Sequence, residues 1–255
     1  MNGERLDGTV ALITGASSGI GAAAATELAS QGAAVAVLAR RRDRLDELVT
    51  SIEDAGGRAL ALECDITEDG AAAAAIADVV DHYGRLDTLV NNAGVMLLGP
   101  VVDAPIEDWN RMVALNVQAL LACSHAALPH LLAAAEDSPR GVADLVNISS
   151  VAGRVARLGS GVYNLTKHGI NAFSESLRQE VTKRHVRISL VEPGAVDTEL
   201  THHLSDAARA GFQQRFREVE LLQSSDIADA IAFVVTRPWR MSVNEILIRP
   251  TEQEG

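Results

Sequence analysis

The stretch from Thr9 to Gly21 sets a short apolar run, a glycine-rich turn and an alanine-rich helical segment in direct succession. Val10 to Ile13 has the length of a buried strand, and Ile20 to Gln31 reads as a helix. A strand that turns straight into a helix constrains what lies between them. Gly15 permits the sharp turn, Gly19 lets backbone approach a ligand, and Gly21 lets the helix pack close to the strand. The helix's free N–H groups face outward and attract an anion, for which a pyrophosphate is the natural choice. Three readings of this stretch remain open. Its spacing is G-x-x-x-G-x-G, not the G-x-G-x-x-G of the general dinucleotide fingerprint. Gly15 to Gly19 also fits the hydrolase elbow G-x-S-x-G, in which Ser17 would be a nucleophile. The third reading is a plain turn.

Beyond Gly21 the pattern repeats. Gly32 closes the first helix, Ala33 to Ala39 is a second apolar strand, and Leu45, Leu48, Val49 and Ile52 recur at helical spacing. Gly56 and Gly57 end that helix, and Arg58 to Glu63 alternates as a third strand. Thr67 with Glu68 and Asp69 opens a helix that stops at Gly84. Thr88 to Val90 is a fourth strand, and Pro105 starts a long helical region that runs through Asn116 to Ala135. After a loop from Glu136 to Gly141, Ala143 to Ile148, Arg187 to Val191 and Glu245 to Arg249 supply strands five to seven. Helices around Tyr163 and over Asp226 to Thr236 fall between them. This alternation predicts an α/β fold with a parallel sheet. At 255 residues, 47% of them hydrophobic, the chain fits one large domain.

A net charge of −12 and a pI near 5.0 speak against a protein held on nucleic acid or an anionic membrane by its overall field, so a small-molecule partner is expected. The two cysteines, Cys64 and Cys123, show no metal spacing and no disulfide framework, which fits a reducing cytoplasm. Glu4, Arg5 and Asp7 make the N-terminus unlike a signal peptide. Met112 to Ala135 lacks acidic and basic residues, but Asn116, Gln118, Ser124, His125, Pro129 and His130 interrupt it, so a helix buried on more than one side is expected rather than a membrane span. The segments Trp109 to Ala135 and Val162 to Val181 carry more apolar surface than one sheet face needs, which predicts self-association.

The chemistry gathers where strands end. A dinucleotide fold that binds a ribose 2′-hydroxyl places an acid about 20 residues after the turn. Here Ala39 is followed by Arg40, Arg41 and Arg42, which suits a 2′-phosphate. Arg40 carries the most weight and Arg41 the next, while Arg42 and Arg44 read as solvated charges at a helix start. The opposing arrangement has Arg40 in solvent and Asp43 reaching the ribose. Asp65, after the third strand, is either an adenine contact or a turn residue, and Asn116 is either a satisfied core amide or a site residue. Tyr163 and Lys167 are four apart and share one helical face, so the lysine charge lies near the phenol and lowers its pKa by roughly 1 to 3 units. With only two tyrosines and two lysines in the chain, that spacing arises by chance roughly 2% of the time.

Thr14-Gly15-x-x-x-Gly19-Ile20-Gly21, Asn91-Asn92-Ala93-Gly94, Asn116, Ser150, Tyr163-x-x-x-Lys167 and Pro193-Gly194 together resemble the short-chain dehydrogenase/reductase family over nearly the whole chain. The resemblance implies a single-domain Rossmann fold, a doubly wound seven-stranded parallel sheet. It implies Tyr163 as general acid/base, Ser150 orienting a substrate carbonyl, Lys167 binding the nicotinamide ribose while tuning Tyr163, and Asn116 holding a proton-relay water. Ser150 is preferred to Ser149 because it precedes Tyr163 by the family's spacing. Cofactor contacts are expected from Gly15, Ser17, Ser18, Gly19, Ile20, Gly21, Arg40, Arg41, Asp65, Ile66, Asn91, Ala93, Gly94, Pro193, Gly194, Val196 and Thr198, besides Tyr163 and Lys167. NADP(H) is the expected cofactor, no metal is expected, and a homotetramer or homodimer is implied. A substrate cover is expected at about 195–222, mobile from Leu200 to Val219. The ending Ile246 to Thr251 looks like the NADP-dependent branch of clavulanate-pathway aldehyde reductases and 3-hydroxy acid dehydrogenases. The complete reductase set argues against a hydrolase, which needs a further acid and histidine, and against a cofactor-binding regulator without turnover.

Overall fold

Water reaches neither face of β1 (Val10–Thr14), β2 (Ala34–Ala39), β4 (Thr88–Asn91), β5 (Ala143–Ile148) or β6 (Val186–Pro193), every residue of which is buried. This is why Val10 to Ile13 and all of β2 read as continuous apolar runs rather than as alternation, while the buried polar residues of β5 and β6, among them Asp144, Arg187 and Glu192, need partners inside the protein. β3 (Arg58–Glu63) and β7 (Glu245–Ile248) are the half-exposed edges. The seven strands are parallel and ordered β3-β2-β1-β4-β5-β6-β7, with Leu12 beside Ala36 on one side and Leu89 on the other. The computed structural model describes residues 5–138 and 140–254. Glu4 and Pro139, which fall in segments discussed above, lie outside the described residues.

Helices cover both faces. Ala11, Ile13, Val35 and Val37 face α1 (Gly19–Ser30), α2 (Arg42–Asp54) and α8 (Ser224–Val235) through Leu28, Leu45, Ile227 and Ile231. Val10, Leu12, Ala36 and Leu38 face α3 (Ala71–Tyr83), α5 (Leu120–Asp137) and α6 (Gly161–Val181) through Ile76, Val79, Leu131 and Leu177. The sheet is therefore doubly wound, a Rossmann arrangement. The strand order reverses between β1 and β4, and at such a switch point a crevice opens over the carboxyl ends of the strands.

Three elements depart from expectation. The helix expected from Thr67 begins at Ala71, because Thr67 is drawn back onto Asp65 and Gly70 takes a left-handed φ of +77° before the first turn. The long helix from Pro105 is divided into α4 (Ile106–Val113), a π-helical segment Ala114–Ala119, and α5. Asn116 lies in the π segment, where its amide reaches the backbone of Val95. The expected cover contains a 3₁₀ turn, Glu199–His203, and α7 (Asp206–Arg215). Among the described residues one stretch, Ile106–Asp137, is long and apolar enough to cross a membrane by length and composition. Part of that stretch is buried within the fold.

At the opposite end of the sheet from the crevice, Asp144 of β5 is buried between two guanidinium groups. Arg187 Nε donates to Oδ1 at 2.7 Å, and Arg187 Nη2 and Arg140 Nη1 donate to Oδ2 at 3.0 and 3.2 Å. Arg187 also donates to the carbonyls of Val235, Arg237 and Met241, tying α8 and its exit to β6. A buried carboxylate placed between two cations costs more to remove than it contributed as a pair, since the cations stay behind. Asp144→Ala should lower unfolding free energy by about 3–5 kcal/mol in urea denaturation. A loss below about 1 kcal/mol would show that this cluster does not brace the sheet.

Candidate active site

The turn after β1 is clamped from the neighbouring strand. Thr14 Oγ1 accepts from the backbone N–H groups of Asn92 and Ala93 at 3.1 Å each, and Asn92 Nδ2 donates to the carbonyls of Thr14 and Gly15 at 2.9 and 3.2 Å. Gly15 has φ +67°, and a Cβ there would stand 2.8 Å from Ala93 Cα, so only glycine fits. Ser18 precedes α1 in extended conformation and makes no side-chain cap, which leaves the helix's first amides to an outside acceptor.

A cavity of about 700 Å³ runs along the carboxyl ends of the strands. Gly15, Ser17, Ser18, Gly19, Ile20, Arg40, Arg41, Asp65, Ile66, Ala93, Gly94, Ser150, Tyr163, Lys167, Pro193, Gly194, Val196 and Thr198 all line it. Three residues expected at the site are absent from that lining. Gly21 is a packing position, where a Cβ would meet Asn92 Nδ2 and Gly15 O at 2.5 Å. Asn91 is buried and donates to Ser124 Oγ and Asn147 Oδ1, so it joins β4 to its neighbours. Asn116 is likewise buried. Its Oδ1 accepts from Val95 N at 2.8 Å and its Nδ2 donates to Val95 O at 2.9 Å, so this amide is spent on backbone.

At one end of the cavity stand cations. Arg40 is the more exposed, with Nη1 3.5 Å from Asp65 Oδ2. Arg41 is the better held. It donates to Ser17 Oγ from Nε at 3.1 Å and to Ser18 Oγ from Nη2 at 2.9 Å, and pairs with Glu199 at 2.9 Å. The order of weight expected for the two arginines is thus reversed in the degree to which each is fixed. Asp43 is exposed and lies outside the lining. Asp65 serves its turn, accepting from Thr67 N and Oγ1, and also lines the cavity. Ser17 is bonded to a guanidinium, which cannot act as a base, so the hydrolase elbow lacks its partner.

At the other end α6 brings Tyr163 and Lys167 to Ser150. Ser150 follows β5 in extended conformation, accepts from Ala152 N at 3.1 Å and donates to Pro193 O at 3.4 Å. Lys167 Nζ donates to Ile148 O at 2.8 Å and lies 5.8 Å from the centroid of the Tyr163 ring. Here burial opposes the lowering expected from the lysine charge. Burial pushes the Tyr163 phenol up to about 12, only partly offset by its hydrogen bond with Ser150. Burial likewise brings the Lys167 ammonium down to about 8. Burial is the leading cause for both groups, because both side chains lie inside the protein.

Several lining residues were not legible as site residues. Asn92 was visible as part of its motif, although its clamp on the turn was not. Glu199 sits beside Thr198 but gave no separate signal. Arg111 and His203 also line the cavity, and His203 is held below the usual imidazole range first by burial and then by the charges of Arg111 and Arg40.

A doubly wound sheet, an anion-accepting turn at its switch point and a Tyr-x-x-x-Lys helix on the same cavity define an oxidoreductase of the dinucleotide-fold class. Residues 9–209 match the family model described as short chain dehydrogenase, and the chain belongs to that family. It is 34% identical to sulfoacetaldehyde reductase 2 of Chromohalobacter salexigens, across 96% of this chain and 95% of that protein. Two solved relatives are complexes with NADP. A metagenomic short-chain oxidoreductase shares 33% identity with a TM-score of 0.80, covering 97% of this chain and 99% of that one. A short-chain dehydrogenase from Burkholderia cenocepacia shares 32% identity with a TM-score of 0.84, covering 96% and 98%.

The two buried groups leave opposite marks on stability. Between pH 8 and 10 the unfolded chain holds the Lys167 proton and the folded chain has released it, so stability rises with pH. Above pH 10 the unfolded chain releases the Tyr163 proton first, so stability falls. Lys167→Met should remove the rise, on the order of 1.4 kcal/mol per pH unit, as measured by denaturation of the two proteins across pH 7 to 10. Parallel curves would contradict the buried, depressed lysine.

Proposed function

We propose that this protein is an NADP(H)-dependent oxidoreductase that moves a hydride between nicotinamide and a small carbonyl compound or its alcohol. The observation that carries the reading is one cavity with Arg40 and Arg41 at one end and Ser150, Tyr163 and Lys167 at the other. The residues present fit such a cofactor. The uncapped start of α1 and the hydroxyls of Ser17 and Ser18 suit a pyrophosphate, and no acid at the end of β2 opposes a 2′-phosphate. Glycine at position 19, where a Cβ would meet Thr198 Cγ2 at 3.3 Å, keeps that cradle open. The NADP complexes among the solved relatives support the same choice.

When bound, nicotinamide supplies or takes up the hydride. The chain's own part is to hold the carbonyl oxygen and move one proton. Ser150 Oγ donates to that oxygen, and Tyr163 Oη gives it a proton as the C–H bond forms. A phenol pushed up to about 12 rests in its neutral form at pH 7, which is the form a proton donor needs. The Lys167 ammonium beside the ring then stabilises the phenolate left behind. Lys167 also holds the cofactor's ribose, while Asn116 fixes Val95 on the cavity wall. The segment from Ala195 to Leu222 acts as the cover, pinned at its base where Asp197 N donates to Leu222 O and Leu222 N donates to Ala195 O.

The kinetic test uses NADPH and NADH with aldehydes, ketones and 3-oxo acids. Each charge-assisted bond to the 2′-phosphate is worth about 1.5–3 kcal/mol, so NADPH should be preferred at least about tenfold in kcat/KM. Ala39→Asp/Arg40→Leu should reverse or abolish that preference. Tyr163→Phe should keep NADPH binding and lose at least about a hundredfold in turnover. An NADH-favouring wild type, or an active Tyr163→Phe, would refute the respective assignment.

We further propose a cytoplasmic homotetramer or homodimer. The free thiols Cys64 and Cys123 suit a reducing compartment. The apolar surface left uncovered on the Ile106–Asp137 stretch and exposed Leu165 on α6 favour contact with a second copy over contact with lipid. Light scattering should give a dimer or tetramer at micromolar concentration. A monomer would overturn this.

A further inference from the structure

Behind the cavity lies a second polar cluster that the proposed chemistry does not use. Glu192, in β6 immediately before Pro193, is fully buried. Its carboxylate accepts from Arg154 Nε at 2.8 and 3.0 Å and from Arg154 Nη2 at 2.7 Å, a forked arrangement. Asn171 Nδ2, one helical turn beyond Lys167, donates to Glu192 Oε1 at 2.6 Å and to Gly153 O at 3.2 Å. Asn171 Oδ1 in turn accepts from Ser149 Oγ at 2.6 Å. Arg154 reaches one further partner, Glu245 on β7, at the surface.

These bonds connect three segments that carry different parts of the site. Arg154 ends the short turn Val151–Gly153 that follows Ser150. Asn171 belongs to the helix of Tyr163 and Lys167. Glu192 belongs to the strand that delivers Pro193 and Gly194 to the cavity. The contact surfaces leave no slack: a Cβ on Gly153 would stand 2.8 Å from Asn171 Nδ2, 2.9 Å from Ser149 Oγ and 3.0 Å from Lys167 O. A buried carboxylate that only accepts, faced by donors alone, matches these neighbours in a way a neutral amide does not, because an amide must turn an N–H₂ toward a donor.

We infer that Glu192 is a positioning residue: through Arg154 and Asn171 its charge sets Ser150, Lys167 and the Pro193–Gly194 turn in register with one another. This rests on the reading of Ser150, Tyr163 and Lys167 as the catalytic set. A displacement of about 1 Å among such groups lowers turnover by up to about a hundredfold while leaving cofactor contacts at the far end of the cavity intact.

The experiment compares wild type, Glu192→Gln, Glu192→Asp, Asn171→Ala and Glu245→Gln. For each, NADPH affinity and the number of NADPH sites are measured by fluorescence titration, and kcat is expressed per NADPH site. Glu192→Gln should lose at least about tenfold in kcat with NADPH affinity within about threefold of wild type. Glu192→Asp, which keeps the charge, should recover part of that loss. Asn171→Ala, which leaves the Arg154 pair in place, should lower kcat in the same manner and serves alone if Glu192→Gln does not fold. Glu245→Gln removes only the outer partner and should stay within about twofold. Unchanged kcat per site in Glu192→Gln, or in Asn171→Ala where the former does not fold, would overturn the inference. So would an equal loss in Glu192→Asp and Glu192→Gln, since charge would then not be what matters. Tyr163→Phe in the same assay separates this outcome from failure of the catalytic reading: a fully active Tyr163→Phe would undermine that reading, whereas an inactive one beside a normal Glu192→Gln would reject only the positioning role of Glu192.

Discussion

The junction of β1 with β4 is the constraint on which the rest of the molecule depends. Strand order runs outward in both directions from this pair, so the loops leaving β1 and β4 part company and leave a crevice between them. Four hydrogen bonds from Asn92 and Ala93 to Thr14 and Gly15, each joining a side chain to backbone, fasten the two exits together. Without that clamp Gly15 would have no reason to hold a left-handed conformation, and the start of α1 would not be aimed into the cavity. The cation end lies on one side of the junction, after β2 and β3. The Tyr163 end lies on the other, after β5 and β6.

Burial governs the electrostatics more than net charge does. The chain carries twelve excess negative charges, yet its cavity collects Arg40, Arg41, Arg111 and Lys167 against only Asp65 and Glu199. An acidic exterior keeps the molecule from indiscriminate contact with polyanions, while a local cationic lining remains selective for a small anion. Within the cavity, desolvation moves Tyr163 and Lys167 toward their neutral forms from opposite directions. Glu192, Asp144 and Asp87 are buried in another way, each carboxylate meeting an arginine directly.

Most of the fold was legible in the sequence because strands buried on both faces are largely apolar, and glycine marks several of the turns between elements. Helix ends were less so. Thr67 looked like a helix start, but Asp65 captured its N–H and hydroxyl, a competition between side chain and backbone that no periodicity reveals. Motif residues such as Gly15, Ser150, Tyr163 and Lys167 were legible because their chemistry needs fixed spacing along the chain. Residues that act across the chain were not: Arg41 meets Glu199 and Arg154 meets Glu192 only after folding. Asn116 is a middle case. A polar residue in an apolar helix was noticed, and its alternatives stated, but only the structure shows which backbone its amide holds, that of Val95 on the cavity wall.

The π segment at Ala114–Ala119 has a consequence for how α4 and α5 present their faces. One residue more than an α-helix needs is wound into the same axial rise, so everything downstream is rotated by about 100° relative to an uninterrupted helix. The apolar stripe of α4, which packs Met112 beneath Tyr163, and that of α5, which packs Leu131 on the sheet, are therefore out of phase by design of the chain length alone. Deleting a single residue there would bring the two helices into one continuous phase. Either Met112 or Leu131 would then turn away from its layer, and Asn116 would leave Val95.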